Sequence, residues 1–223
     1  MHGSSNEAGP PLSGATLDGA GLADPAPVTD YRVRPATAAD ADAICRIYNQ
    51  GIEDRVATLE TELRTPEERR RWLANRSPRH PVVVAEATEP RFVGGHGGGE
   101  TEPGRTFVKP PTESSGLAAP ATMVGWGSLN VFNPREAYRF VADFSIYVER
   151  AWRGRGVGRA MLEALIELAR THGFHKLVLS AFPFNAVGGA LYEKLGFRTV
   201  GVYREQGLLD GKWVDTIIME KLL

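Results

Sequence analysis

The stretch that decides the fold is Phe144–Leu162, FSIYVERAWRGRGVGRAML. An apolar run ends at Val148, and an apolar pattern of helical spacing resumes at Met161 and Leu162. Between them, Arg153 to Gly158 reads RGRGVG, half glycine and one third arginine. A glycine-rich turn that leads from a strand into a helix presents an anion site. The free N–H groups of the first helical turn point outward and the helix dipole adds positive potential. Glycine lets the backbone approach a ligand and adopt positive φ. Arg153, Arg155 and Arg159 add charge, so a phosphate or pyrophosphate is the expected ligand. The residues alone also fit a plain tight turn with its arginines on a solvated face. Two common phosphate motifs are excluded. A G-x-G-x-x-G fingerprint counted from Gly154 would need glycine where Arg159 stands, and no Gly-Lys-Ser/Thr follows for a P-loop.

Downstream of the turn, RAMLEALIELARTHGF reads as an amphipathic helix stopped at Gly173. HKLVLSAF (His175–Phe182) reads as a strand, AVGGALYEKLGF as a short helix ending at Gly196, and RTVGVYREQG and KWVDTIIMEKLL as two strands around the turn Asp210-Gly211. Upstream, YRFVADFSIYVE (Tyr138–Glu149), ATMVGWGSLNVF (Ala121–Phe132) and PVVVAEA (Pro81–Ala87) read as strands. Thr65-Pro66-Glu67-Glu68 opens a helix with an N-cap, a first-turn proline and a capping-box glutamate, and the helix runs to about Ala74. Before it, Ile44, Ile47, Tyr48 and Ile52 recur at helical spacing, and YRVRPA forms the first strand. The expected order is βααβββαβαββ, a mixed α/β (α+β) arrangement.

Residues 1–29 carry no aromatic and are rich in Gly, Ala, Pro and Ser, so they read as a disordered tail. The domain is expected over 30–223, with a disordered Gly/Pro/Ser-rich insertion at about 91–120. A formal net charge of −1 over 223 residues gives no global basic field for nucleic acid. No apolar run approaches spanning length, so no membrane is expected. The single cysteine, Cys45, rules out an internal disulfide and fits a reducing, cytoplasmic setting; it reads as a small core residue. His96 lies among glycines with no second ligand at useful spacing, so no metal site is expected.

Arg153-Gly154-Arg155-Gly156-Val157-Gly158 resembles the R/Q-x-x-G-x-G/A element of the GNAT superfamily of N-acetyltransferases. NAVGGALYEKLGF (Asn185–Phe197) resembles its N-x-x-S-x-x-L-Y-E-K-L-G-F segment, with Gly188 where serine is frequent. The likeness runs from about Tyr31 to the end. It implies the GNAT acyl-CoA N-acyltransferase fold, a central mixed twisted sheet flanked by helices. It also implies acetyl-CoA as cosubstrate. Ile146, Tyr147 and Val148 would hold the pantetheine through their backbone, Gly154 to Arg159 would wrap the pyrophosphate, and Asn185 would touch the cofactor. RPATAADADAICRIYNQGIEDRVATLETELRTPEE and GLLDGKWVDTIIMEKLL resemble the phosphinothricin and arsinothricin N-acetyltransferases.

That resemblance implies a small amino-acid-like amine as acceptor and, by analogy, a homodimer. An ammonium must lose a proton before it attacks a thioester, and the departing thiolate gains from a proton. Asp143 stands where the phosphinothricin branch places a glutamate, and its shorter side chain favours a base acting through water. Tyr192, at the tyrosine of L-Y-E-K-L-G-F, is the candidate acid. Arg135, Tyr138, Arg139, Arg204 and Lys212 are candidate partners for an anionic tail, and Glu60 and Glu62 for an ammonium; each also reads as a surface residue. Trp126 and Trp213 read foremost as core, or else as pocket lining. Direct transfer in a ternary complex is expected. Two other readings stay open: acetylation of a protein N-terminus or lysine, and a non-catalytic acyl-CoA-binding module.

Overall fold

The computed structural model describes residues 31–87 and 122–223. The N-terminal tail, the insertion and His96 lie outside them. In chain order the elements are β1 (Tyr31–Pro35), α1 (Ala41–Glu53), α2 (Pro66–Ala74), β2 (Val82–Ala87), β3 (Thr122–Val131), β4 (Val141–Val148), α3 (Val157–Thr171), β5 (Lys176–Ala181), α4 (Ala186–Lys194), β6 (Arg198–Leu209) and β7 (Lys212–Leu222). This is the expected order. Short 3-10 turns precede α1, β4 and the glycine turn.

The strands form one sheet in the order β1-β2-β3-β4-β5-β7-β6. All neighbours are antiparallel except β4 and β5. That parallel pair is short. Its register holds Val141 to Lys176, Ala142 to Leu177 and Asp143 to Val178. β4 then runs on to Val148 and β5 to Ala181 without pairing again. The two strands part, and one edge of β4 is open from Phe144 onward.

Each face of the sheet is covered. On one side Leu162, Leu165 and Ile166 of α3 pack with Leu129, Phe144 and Leu177. On the other, Ile44, Ile47 and Ile52 of α1 pack with Val84 and Trp126. Alternation along the strands divides their residues between these two layers. Glycines at Gly125 and Gly127 of β3 let α3 lie close to the sheet. A Cβ would meet Met161 Cε at 2.8 Å in the first case and Leu165 Cδ1 at 3.0 Å in the second.

The capping signals at Thr65 are realised. The Glu68 N–H donates to Thr65 Oγ1 at 3.2 Å, and the Thr65 N–H to Glu68 Oε2 at 2.7 Å. Two local expectations are corrected. Tyr138 belongs to the 3-10 turn Glu136–Tyr138, not to β4, because the Arg135 N–H donates to Asn133 Oδ1 at 3.0 Å and folds the chain locally. Trp126 is core at 2% exposure, whereas Trp213 is 62% exposed on β7, facing outward beside the edge strand.

Candidate active site

The parting of β4 and β5 opens a cleft of about 240 Å³. Its walls are Asp143–Tyr147 of β4, Leu179–Phe182 at the end of β5, Asn185 and Tyr192 around α4, and Thr216 of β7. Val56–Leu59, the loop after α1, closes the front. Three of the residues expected to hold the cofactor therefore meet here with the two candidate proton carriers: Ile146, Tyr147 and Asn185 line the same space as Asp143 and Tyr192. Val148 ends the same strand but lies outside the lining.

Asp143 sits at the last position where β4 pairs with β5, at the point where those two strands part. Its carboxyl is half-buried, and burial pushes it up to about 6. The Phe144 N–H, which donates to Asp143 Oδ1 at 2.5 Å, pulls the other way. A carboxylate with this affinity is a better proton acceptor than an ordinary aspartate and remains mostly ionised at pH 7 to 8. Two residues on, Ser145 Oγ accepts from Asn130 Nδ2 at 3.1 Å.

Tyr192 projects from α4 and packs edge-on against Phe144, with ring centroids 6.0 Å apart. Burial raises its phenol, and the nearby charge of Asp143 raises it further. The hydroxyl thus keeps its proton at neutral pH and has a hydrogen to donate. Tyr147 stacks on Trp126 at 4.8 Å, and burial also pushes its phenol up. That ring anchors the cleft floor, while the open edge of β4 exposes backbone groups.

The glycine turn lies at the far end of β4. Gly154 has φ 75° and Gly156 φ 90°, left-handed values that side chains rarely adopt. Gly156 is the N-cap of α3, and no side chain caps that end among the described residues. The first-turn N–H groups could therefore take an external anion. The side chains around them divide. Val157 is 1% exposed and serves the core, so only its backbone can reach a ligand. Arg153 donates to Asp54 Oδ2 at 2.5 Å and through Nε to the Val148 carbonyl at 3.2 Å. Arg155 stacks over Trp152 at 5.1 Å, and its carbonyl accepts from Tyr31 Oη at 2.7 Å. Arg159 pairs with Glu163 at 2.9 Å. Gly158 stands near Leu191 of α4, where a groove lined by Arg159, Val187, Ala190 and Lys194 opens beside the turn.

Asn185 caps α4, its Oδ1 accepting from the Gly188 N–H at 3.1 Å. A side chain at 188 would meet the Asn185 amide at 2.9 Å, so the glycine there accommodates this cap.

A clamp behind the turn carries no local mark in the sequence. Gln50 Nε2 donates to Glu149 Oε1 at 3.1 Å and the Arg150 N–H to Gln50 Oε1 at 2.8 Å. Asp54 takes Arg150 and Arg153 together, and these cations hold its carboxyl below the usual range against the opposing effect of burial. Nothing in their local pattern marks Thr216 and Val56–Leu59 either, because only the crossover of β7 and the exit of α1 bring them to the cleft. Of the candidate acceptor partners, Glu60 pairs with Arg64, Arg139 pairs with Glu136 at 3.2 Å, and none of Arg135, Tyr138, Arg204 or Lys212 lines the cleft. Cys45 is 3% exposed, donates to the Arg64 carbonyl at 3.1 Å and lies away from the cleft lining.

The chain is similar to known proteins. The acetyltransferase (GNAT) family matches residues 52–197. An L-methionine sulfoximine/L-methionine sulfone acetyltransferase of Pseudomonas aeruginosa is 26% identical over 84% of this chain and 92% of its own length. Two crystal structures share the fold. A GNAT superfamily phosphinothricin acetyltransferase from Sinorhizobium meliloti, in complex with AcCoA, has a TM-score of 0.68 and 26% identity, over 86% of this chain and 88% of that one. Ribosomal-protein-alanine N-acetyltransferase from Brucella melitensis has a TM-score of 0.68 and 31% identity, over 86% of this chain and 99% of that one.

Proposed function

Because the chain belongs to the acetyltransferase (GNAT) family and is an acetyl-CoA-dependent N-acetyltransferase, we propose that it acetylates the amino group of a small amino acid with a tetrahedral polar tail, of the phosphinothricin, arsinothricin and methionine sulfoximine kind. The observation that carries this reading is the cleft between β4 and β5, with Asp143 and Tyr192 on its walls, together with the relatives that act on such compounds. At about 240 Å³ the cleft suits the end of a thioester arm and a small acceptor.

Acetyl-CoA supplies the activated acyl group. The pyrophosphate lies on the N–H groups of Gly156 to Arg159, and the nucleotide end extends toward the groove with Arg159 and Lys194. Arg153, held by Asp54, shapes the turn. The pantetheine arm pairs with the open edge of β4 at Ile146 to Val148 and completes the hydrogen bonding that β5 leaves unmade. Asn185 touches the arm from the N-terminus of α4.

Asp143, directly or through one water, takes the proton of the acceptor ammonium. The neutral amine attacks the thioester carbonyl. The tetrahedral intermediate collapses with loss of the CoA sulfur, and the Tyr192 hydroxyl donates a hydrogen bond to that sulfur as it departs. Transfer is direct, in a ternary complex; Cys45 takes no part. The protein acts in the cytoplasm. The exposed apolar side chains of β6 and β7, with Val200, Val202, Tyr203 and Trp213 among them, support a homodimer through that edge.

The 31% identical ribosomal-protein-alanine N-acetyltransferase keeps peptide acetylation as the second reading. A thiol-release assay with acetyl-CoA separates the two. Turnover is expected with phosphinothricin, arsinothricin or methionine sulfoximine and not with an alanine-terminated peptide. Turnover of the peptide alone would reverse the assignment.

A further inference from the structure

Thr216 presents a buried polar group that the mechanism leaves unused. The residue is 3% exposed, and its Oγ1 has no hydrogen-bond partner among the described residues. Its neighbour Ile217 packs into the layer beneath α3, as do Ala142 and Phe144 of β4. Alternation therefore sets Thr216 and Asp143 on the other face of the sheet, and both line the cleft. A valine would fill the same space without stranding a hydroxyl, so the oxygen has no packing rationale.

The backbone around it is shaped as well. Thr216 is in register with Tyr203 of β6, after which Arg204–Gln206 loop out before pairing resumes at Gly207. The bulge is held by the Glu205 N–H, which donates to Asp215 Oδ1 at 2.8 Å, and Glu205 takes φ 50°. Bulges of this kind re-aim side chains near binding sites.

We propose that Thr216 determines acceptor specificity, its hydroxyl donating a hydrogen bond to the carboxylate of the acceptor amino acid while Asp143 deals with the amine. This rests on the small-amino-acid reading above. Asp143 is the one carboxylate among the cleft-lining residues, so it claims the ammonium. The unpaired hydroxyl then complements the acceptor's own anionic group. Binding the acceptor supplies the hydrogen bond that folding leaves unmade.

The test compares wild type with Thr216→Val and Thr216→Ser, using phosphinothricin and its decarboxylated amine as acceptors. The valine variant is expected to raise the KM for phosphinothricin about 10- to 100-fold, the usual cost of losing a hydrogen bond to a charged group. KM for acetyl-CoA stays put, Thr216→Ser recovers most of the loss, and the decarboxylated amine is used alike by wild type and Thr216→Val. Without substrate, Thr216→Val should melt at or above the wild-type temperature. An unchanged KM for phosphinothricin, an equal loss on the decarboxylated amine, or a lower melting temperature would each overturn the assignment while sparing the enzyme's substrate class. A wild type that acetylates no small amino acid would overturn the substrate class itself, and this proposal with it.

Discussion

Asp143→Asn is expected to make the protein more stable and nearly inactive. The structure holds this carboxyl at about 6 against an ordinary value of 3.8. The gap is about 2 pH units. At about 1.36 kcal/mol per tenfold it corresponds to roughly 3 kcal/mol that the folded state spends keeping the group ionised at neutral pH. The asparagine carries no charge, and its Oδ1 can still accept from the Phe144 N–H. A gain of about 1–3 kcal/mol at pH 7.5 follows, or several degrees in melting temperature for a domain of this size. The sign has a pH signature. A carboxyl raised on folding binds more protons in the folded than in the unfolded chain between about 4 and 6. Wild-type stability therefore falls, through this group, as pH rises across that window, and it is flat above it. The advantage of the variant should be full above pH 6 and vanish below pH 4. The assays are paired thermal melts from pH 4 to 8 and CoA thiol release. Turnover should drop by about 10²- to 10⁴-fold, the usual worth of a positioned base, with acetyl-CoA affinity intact. In the wild type the rising limb of kcat/KM should include a titration near 6. A variant that melts lower at pH 7.5, or keeps its turnover, would show that Asp143 is neither a strained carboxylate nor the base.

Other perturbations separate the parts of the site. Tyr192→Phe should lower kcat at least tenfold with unchanged acetyl-CoA binding by calorimetry; an unchanged kcat would reduce Tyr192 to a packing residue against Phe144. Gly156→Ala places a side chain at φ 90°, at a cost of about 1–2 kcal/mol, and should weaken acetyl-CoA binding about tenfold or more; unaltered affinity would remove the glycine turn from the cofactor site. Arg34 joins β1 to Asp40 at 2.8 Å and to Glu86, and chiefly through its hydrogen bond it holds the Asp40 carboxyl at about 2. Arg34→Met should cost about 1–3 kcal/mol in urea unfolding at pH 7, since Asp40 is left buried without its partner. That contribution exists above the ordinary carboxylate range and is lost as pH falls toward 2, so the deficit of the variant should shrink there. Its kcat should hold, because the triad lies outside the cleft.

The element order was legible because the periodicities were strong. Ile44, Ile47, Tyr48 and Ile52 could only be one face of a helix, and Thr65 with Glu68 announced the start of the next. The glycine turn was legible too, since RGRGVG between a strand and a helix has few physical uses. The sheet order was not. That β7 inserts between β5 and β6 is a long-range pairing with no local mark, and it is this insertion that brings Thr216 to the cleft. The parting of β4 from β5 was equally hidden, because strand alternation continues through it. The arginines of the turn read as added charge for a phosphate, and in the fold Arg153, Arg155 and Arg159 also have partners of their own, Asp54, Trp152 and Glu163. Charge in a sequence does not say which neighbour will claim it. The exposure of Trp213 is hidden for a related reason, since an aromatic in an alternating strand reads as core unless the strand beside it is known to be an edge.

Acetylation of a small amino acid in this cleft can be set against acetylation of a peptide by competition in one vessel: purified protein, acetyl-CoA, phosphinothricin and an alanine-terminated peptide at equal concentration, with products identified by mass spectrometry. N-acetylphosphinothricin should form in step with thiol release while the peptide stays unmodified, and Asp143→Asn should yield neither product. Acetylated peptide with untouched phosphinothricin would make this a peptide N-acetyltransferase instead.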